Sequence, residues 1–443
     1  MLRGMDRRTL LTRSGAFGSG ALLGGVLPRA LLAQGGLPPP DLSGVRRIVD
    51  SYVSSRRVPN MVIAVGRGQQ RPDFVARGNT SLITRTPVDA DTLYRIYSMT
   101  KPVTGMAAMM LVDEGKIGLD QPVAEILPAF TDMQVQRVYD GPIRPDNLER
   151  AVRPITMRHL LTHTAGLGYS IVQEGPIARA YSEAGLVPAL VSRAQADGSS
   201  GALGDLGGTP APSLAEFVDR LATMPLVLQP GTRWSYGVGL DLMGRIIEIV
   251  SGMPFDAFLR TRIFEPCGMA STGFQVKAGD VGRFTANYLV AGTTLVPIDL
   301  AESSVYLDPP PFPFGGAGLV SSPRDYDRFL QMLVGRGAID GRRVMSEAAV
   351  ALGTSDLLPD TLAADDEFAA TAGYGAGGLV GKGAQAGLYG WSGAAGTVGM
   401  VHMGSGAETG WRTSLFTQYM PGQAYGLQTE LIAELMRFAG SGA

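Results

Sequence analysis

Segments with strand character sit at both ends of this chain and helical segments sit between them, which limits the folds open to it. Near the N-terminus, Met61-Val-Ile-Ala-Val-Gly66 and Asp73-Phe-Val-Ala-Arg77 read as strands joined by the polar turn Arg67-Gly-Gln-Gln70. Toward the C-terminus, Ala317–Val320, Tyr374–Val380, Thr397–His402 and Thr413–Tyr419 read as strands, with helices at 323–334 and 428–438. Ahead of the first strands lies a helix over 42–54. The middle reads as helical with long loops. It holds a helix over 156–163, a capping box at Ser213-Leu-Ala-Glu216 and an amphipathic helix from Leu240 to Val250 stopped by Ser251-Gly252. Two Gly/Pro/Ser-rich stretches, near 134–153 and 171–212, read as loops bordering a cleft. The expected class is α/β (α+β): an antiparallel sheet flanked by helices, built from the N- and C-terminal segments, with a mostly helical domain inserted. The expected bounds are 34–119 with 311–443 for the sheet domain and 120–310 for the insertion.

Composition narrows the partners. The 443 residues are 45% apolar with a formal charge of −2, which suits a large globular body and gives no electrostatic argument for nucleic acid or an anionic membrane. The single cysteine, Cys267, rules out an internal disulfide framework and a cysteine-based zinc site, and reads as a small core residue. Residues 1–33 read as an export signal of twin-arginine type. Asp6-Arg7-Arg8-Thr9-Leu10-Leu11 precedes a Gly/Ala-rich weakly apolar stretch, and Ala30-Leu-Leu-Ala33 offers a cleavage site. The expected location is the periplasm. No later stretch is long and apolar enough to span a bilayer.

The chemistry centres on Ser98-Met-Thr-Lys101, at the head of an apolar helical run from Pro102 to Gly115. A serine and a lysine three apart on a helix share a face, which brings an amine within reach of a hydroxyl. That suits a serine nucleophile lacking a histidine base. Lysine occurs only at 101, 116, 277 and 382, and all other cations of this kind are arginine, which cannot give up its proton. Lys101 therefore stands out as a group able to deprotonate. At a helix start, free N–H groups and the helix dipole favour a developing oxyanion at Ser98.

Two further segments join it. Pro230-Gly-Thr-Arg-Trp-Ser-Tyr236 delivers a tyrosine just before a helix, and a phenol beside an ammonium can serve as general base. Gly390-Trp-Ser-Gly-Ala-Ala-Gly396 concentrates small residues where backbone must pass close to something else. There an edge strand could offer the Ala394 N–H to pair with that of Ser98 as an oxyanion hole, with Trp391, Ser392 and Gly393 facing substrate.

In this order, Ser98-Met-Thr-Lys101, Pro230-Gly-Thr…Tyr236 and Trp391-Ser-Gly393 resemble the three motifs of serine β-lactamase-related hydrolases with the penicillin-binding-protein-like fold. Leu160-Leu-Thr-His-Thr-Ala-Gly-Leu167 and Gly315-Gly-Ala-Gly-Leu-Val320 belong to the same resemblance, which runs from about residue 45 to the C-terminus. The subgroup it most resembles is the family VIII carboxylesterases, which carry Trp-x-Gly where the lactamases carry Lys-Thr-Gly. The chain also departs from the lactamase pattern at Tyr236-Gly-Val238, where an asparagine would be expected two residues after the tyrosine. Losing a cation and an amide donor argues against efficient penicillin turnover and for small uncharged esters. The resemblance implies acyl transfer through Ser98 with Lys101 and Tyr236 as base, and no metal or organic cofactor.

Rival readings remain. A β-lactamase or D-amino-acid amidase or peptidase would use the same residues, and an inactive exported binding protein would keep the fold alone. A Ser-His-Asp hydrolase would need a true G-x-S-x-G, and Gly390-Trp-Ser-Gly-Ala394 ends in alanine with no long helix after it. His159 and His163 have a metal-capable spacing but no third ligand, and capping and packing explain them more simply.

Overall fold

The computed structural model describes residues 41–196, 208–405 and 408–440. The expected export signal and the Pro-rich joint at 37–40 lie outside the described residues.

Helix α1 (Ser43–Ser54) buries Val45, Val49 and Tyr52, a spacing of three and four that puts one face inward. It leads into β1 (Asn60–Arg67), which pairs antiparallel with β2 (Asp73–Gly78), Ile63 lying opposite Val75. Helix α2 (Thr100–Asp113) is buried continuously from Thr100 to Leu111, so it is a core helix with no solvent face over that length. The middle of the chain supplies α3 (Met157–Leu161), α4 (Leu214–Leu221) and α5 (Gly239–Ser251), of which α5 packs on α2. Helix α6 (Pro323–Val334) precedes five strands: β3 (Gly373–Tyr374), β4 (Leu379–Val380), β5 (Leu388–Gly393), β6 (Thr397–His402) and β7 (Trp411–Phe416). A last helix, α7, covers Leu427–Gly440.

The main sheet has seven strands in the order β3-β4-β5-β6-β7-β1-β2, and every pair is antiparallel. β7 lies against β1 with Leu415 opposite Ile63, so the last long strand of the sheet seats on the first. Seven consecutive residues of β1 are buried, which requires cover on both faces of the sheet. The sheet thus comes from both ends of the chain, and the helical segment between them is inserted, as the sequence implied.

Several elements differ from expectation. The run 374–380 is not one strand but a tight hairpin, β3 turning into β4 through Gly375–Gly378, because its glycines break the extended backbone. Of the strand expected over Ala317–Val320, only Val320 pairs in a strand, Val320–Ser321 lying antiparallel to Tyr94–Arg95 just before Ser98. The middle also contains unforeseen strands. Asn287–Ala291 and Thr294–Asp299 form a hairpin that Tyr419–Met420 joins in parallel, and Gln134–Gln136 pairs with Leu148–Arg150. No helix among the described residues is long and apolar enough to cross a membrane.

Candidate active site

Ser98 lies in a single 3₁₀ turn, Tyr97–Met99, that runs straight into α2. Tyr97 just before it has φ of 41°, an uncommon left-handed conformation for a bulky side chain. Its hydroxyl accepts from Asn287 Nδ2 at 3.0 Å, which helps hold the turn. The turn is also pinned from behind, Tyr326 Oη donating to the Met99 carbonyl at 3.0 Å. Ser98 itself is half-buried.

Lys101 points back over the same turn. Its side chain is buried, with Nζ 3.1 Å from Ser98 Oγ and 2.8 Å from the Gly316 carbonyl oxygen. The helical spacing expected to bring amine and hydroxyl together does so. Nζ also lies over the face of the Tyr236 ring, 4.6 Å from its centroid, and 5.6 Å from that of Tyr169. Both contacts place the ammonium against negative ring faces.

Tyr236 is buried at the turn before α5, more than a hundred residues from Ser98 along the chain yet in the same crevice. Its oxygen accepts from Trp391 Nε1 at 3.0 Å, so the indole is a hydrogen-bond partner of the phenol as well as a candidate wall. No hydrogen bond joins Tyr236 Oη to Ser98 or Lys101 among the described residues; the lysine meets the ring. Around the phenol stand His163, ring centroids 4.4 Å apart, and Tyr169, edge-on at 5.2 Å.

β5 brings the third segment. β4 pairs only with Tyr389 and Gly390, so beyond Gly390 that flank of β5 has no strand partner. It faces the Ser98 turn instead. Thr397 Oγ1 reaches the Ile96 carbonyl at 3.4 Å, and a side chain at Gly393 would collide with that same carbonyl. Ala394 begins the turn that follows, packed in a small apolar cluster with Tyr97, Ala189, Val191, Ala317 and Ala395. Trp391, Ser392 and Gly393 are all buried within β5, and the strand turns directly into β6. Ser392 therefore has no helix behind it of the kind a nucleophile elbow needs.

The histidines have separate tasks. Thr156 and His159 form a reciprocal cap on α3: His159 N–H donates to Thr156 Oγ1 at 3.4 Å and Thr156 N–H donates to His159 Nδ1 at 3.2 Å. Burial, aided by the nearby Arg153 charge, pushes the His159 imidazole down to about 4. His163 accepts the Gly237 N–H at Nδ1 (3.2 Å). Burial and the Lys101 charge hold it well below its ordinary value, so it is a neutral ring behind Tyr236. Cys267 is buried, and burial raises its thiol to about 12, which fits an inert core residue.

Sequence reasoning missed Asp241, a fully buried carboxyl in the first turn of α5 whose Oδ1 accepts the Gly316 N–H at 2.9 Å. The only sequence signal was an acid amid the apolar run Leu240-Asp-Leu-Met243.

A half-buried serine in the turn that enters a core helix, with a buried lysine of that helix at its oxygen beside an antiparallel sheet, defines the serine β-lactamase and penicillin-binding-protein class of fold. Comparison with known proteins agrees: the family described as Beta-lactamase matches residues 45–426, and the chain belongs to that family of serine hydrolases. It is 38% identical over 274 residues to an uncharacterized protein of Mycobacterium tuberculosis, covering 62% of each chain. The chain thus spans less than two thirds of that relative's length. To the esterase EstB of Burkholderia gladioli it is 29% identical over 302 residues, covering 65% of this chain and 68% of that one. Among solved structures it is similar to EstCE1, described as a hydrolase with promiscuous acyltransferase activity. There the TM-score is 0.68 at 25% identity, over 88% of this chain and 96% of the other.

Proposed function

We propose that the protein is an exported serine carboxylesterase that hydrolyses short-chain, uncharged carboxylic esters through an acyl-enzyme on Ser98. The observation that carries this reading is the buried Lys101 amine 3.1 Å from Ser98 Oγ and seated on the Tyr236 ring. Ser98 Oγ attacks the ester carbonyl and passes its proton to the Tyr236/Lys101 pair. The N–H groups of Ser98 and Ala394 receive the oxyanion; one such donor is typically worth about 10²–10³ in rate. The pair returns the proton to the departing alcohol, and water, activated the same way, releases the acid.

Trp391 supports ester over lactam chemistry. It puts an indole where a lactamase would put a cation, and its N–H is turned to the Tyr236 oxygen. Val238, buried where an amide donor would be expected, adds to this. The kinship with EstB fits the same reading. A second reading, acyl transfer to an alcohol in place of water, is favoured by the likeness to EstCE1 and uses the same acyl-enzyme. Export rests on the Arg7-Arg8 pattern. A panel of p-nitrophenyl esters of rising chain length, run beside a chromogenic cephalosporin, tests the substrate class. Turnover is expected to be fastest on the short esters and weak on the cephalosporin; preferential cephalosporin turnover would make the protein a lactamase.

A further inference from the structure

Asp241 is a buried acid beside the Lys101 loop contact that the acyl-transfer scheme leaves without a task. It sits 1% exposed beside Leu240, Leu242 and Met243, surroundings that penalise a carboxylate unless its oxygens are satisfied. Its Oδ1 takes the Gly316 N–H at 2.9 Å, and the carbonyl of that same residue takes Lys101 Nζ at 2.8 Å. Gly316 is thus gripped from both sides, by an acid through its N–H and by the active-site amine through its oxygen. A side chain at Gly316 would run into the Asp241 carboxylate, so the close approach requires glycine there. The neighbouring Gly315 carbonyl accepts from Thr104 Oγ1 at 2.7 Å, one turn along α2 from Lys101, and fastens the loop to that helix.

We propose that Asp241 is a positioning residue for Lys101: through Gly316 it holds the amine against Ser98, and its negative charge sets how readily the Lys101/Tyr236 pair gives up a proton. This rests on the esterase reading. The groups facing Asp241 are Lys101 from α2 and Tyr169 from the 163–170 loop, while His163 and Tyr236 face Lys101 from beyond. Burial holds Tyr169 well above its ordinary value and His163 well below, so both are neutral around neutral pH. Burial raises Asp241 to about 6 against the pull of the Gly316 N–H and the Lys101 charge, so it is a carboxylate above that point. An anion there favours the protonated form of the pair. Removing it lets the pair lose its proton at lower pH and makes it a weaker base.

Asp241→Asn keeps the shape and an acceptor for the Gly316 N–H while deleting the charge. On p-nitrophenyl acetate, the acid limb of the kcat/KM profile is expected to move about one pH unit lower, with kcat down roughly tenfold and KM within about twofold. A limb that stays in place, whatever happens to kcat, overturns the proposal, because a purely structural role would not move it. Should the variant not fold, wild-type enzyme labelled with [13Cε]lysine gives the second reading. With only four lysines, Lys101 is assigned by elimination using Arg variants of Lys116, Lys277 and Lys382. Its signal is expected to inflect as Asp241 titrates near pH 6, and a flat response from about pH 5 to 7 overturns the proposal. Failure of the esterase reading shows separately, as a Ser98 that does not label with a fluorophosphonate.

Discussion

The Tyr236 oxygen receives a hydrogen bond from Trp391 Nε1, and such a donor stabilises a phenolate more than a phenol. In the proposed scheme that bond and the Lys101 amine on its ring favour the phenolate, which becomes a neutral phenol on taking the serine proton. Tyr236→Phe is expected to lower kcat by about 10²–10⁴ with a small change in KM. It should also cost about 1–3 kcal/mol by leaving the indole N–H unpaired. Steady-state kinetics and urea denaturation read the two effects, and near-full activity would remove the tyrosine from the base role. That Ser98, Lys101 and Tyr236 would meet was legible in the sequence because residue type and local setting single each of them out. Asp241 was not, and His163 was legible only as a packing residue, without its place behind Tyr236. What makes them unusual is burial and a partner brought in from elsewhere in the chain, namely Gly316 and Lys101, and local spacing carries no record of either.

Among the elements, α3 depends most visibly on one cap. His159 stands where glutamine or glutamate closes an ordinary capping box, and it can accept from the Thr156 N–H only while Nδ1 is unprotonated. Its folded value of about 4 lies below the ordinary 6.5, so the unfolded chain binds the proton more tightly. The resulting stability, about 3 kcal/mol, is complete above pH 6.5 and is lost as pH falls toward 4. His159→Gln should keep the cap without the titration and flatten the stability profile across that window. Urea midpoints near pH 4.5 and 7 compare the two proteins, and an equal loss in both would refute the assignment. At this scale the sequence was readable where periodicity and capping agree: α6 and β6 fall at their expected bounds. At α4 only half of the expected box forms, since Ser213 caps Glu216 N–H but the Glu216 carboxylate pairs with Arg220 instead. The 374–380 strand failed because its apolar residues also suit a hairpin, and glycine spacing within it decides the turn.

At the scale of the whole molecule, the Ser98 turn is tied to remote parts of the chain through Arg95. Its guanidinium is fully buried and pairs with Asp299 of the middle hairpin, Nε donating to Oδ2 at 2.9 Å. It also lies 4.0 Å over the Phe284 ring, while its backbone carbonyl receives Gln418 Nε2 at 3.0 Å. Asp299→Ala strands that cation and is expected to cost about 3–5 kcal/mol and to lower esterase rate, because Arg95 lies three residues before Ser98. An unchanged urea midpoint would show that the pair does not anchor the site. The gross layout, a sheet from both ends around an inserted helical segment, was legible because it follows from the order of element types. The Arg95–Asp299 link was not, since it joins positions some two hundred residues apart that no local pattern connects. In the proposed scheme these ties serve one reactive oxygen, Ser98 Oγ, and its identity is the claim to test first. Wild-type protein treated with a fluorophosphonate and digested for peptide mass mapping is expected to carry one adduct, on Ser98, that disappears in Ser98→Ala. An adduct on Ser392 or another residue, or none at all, would contradict the account.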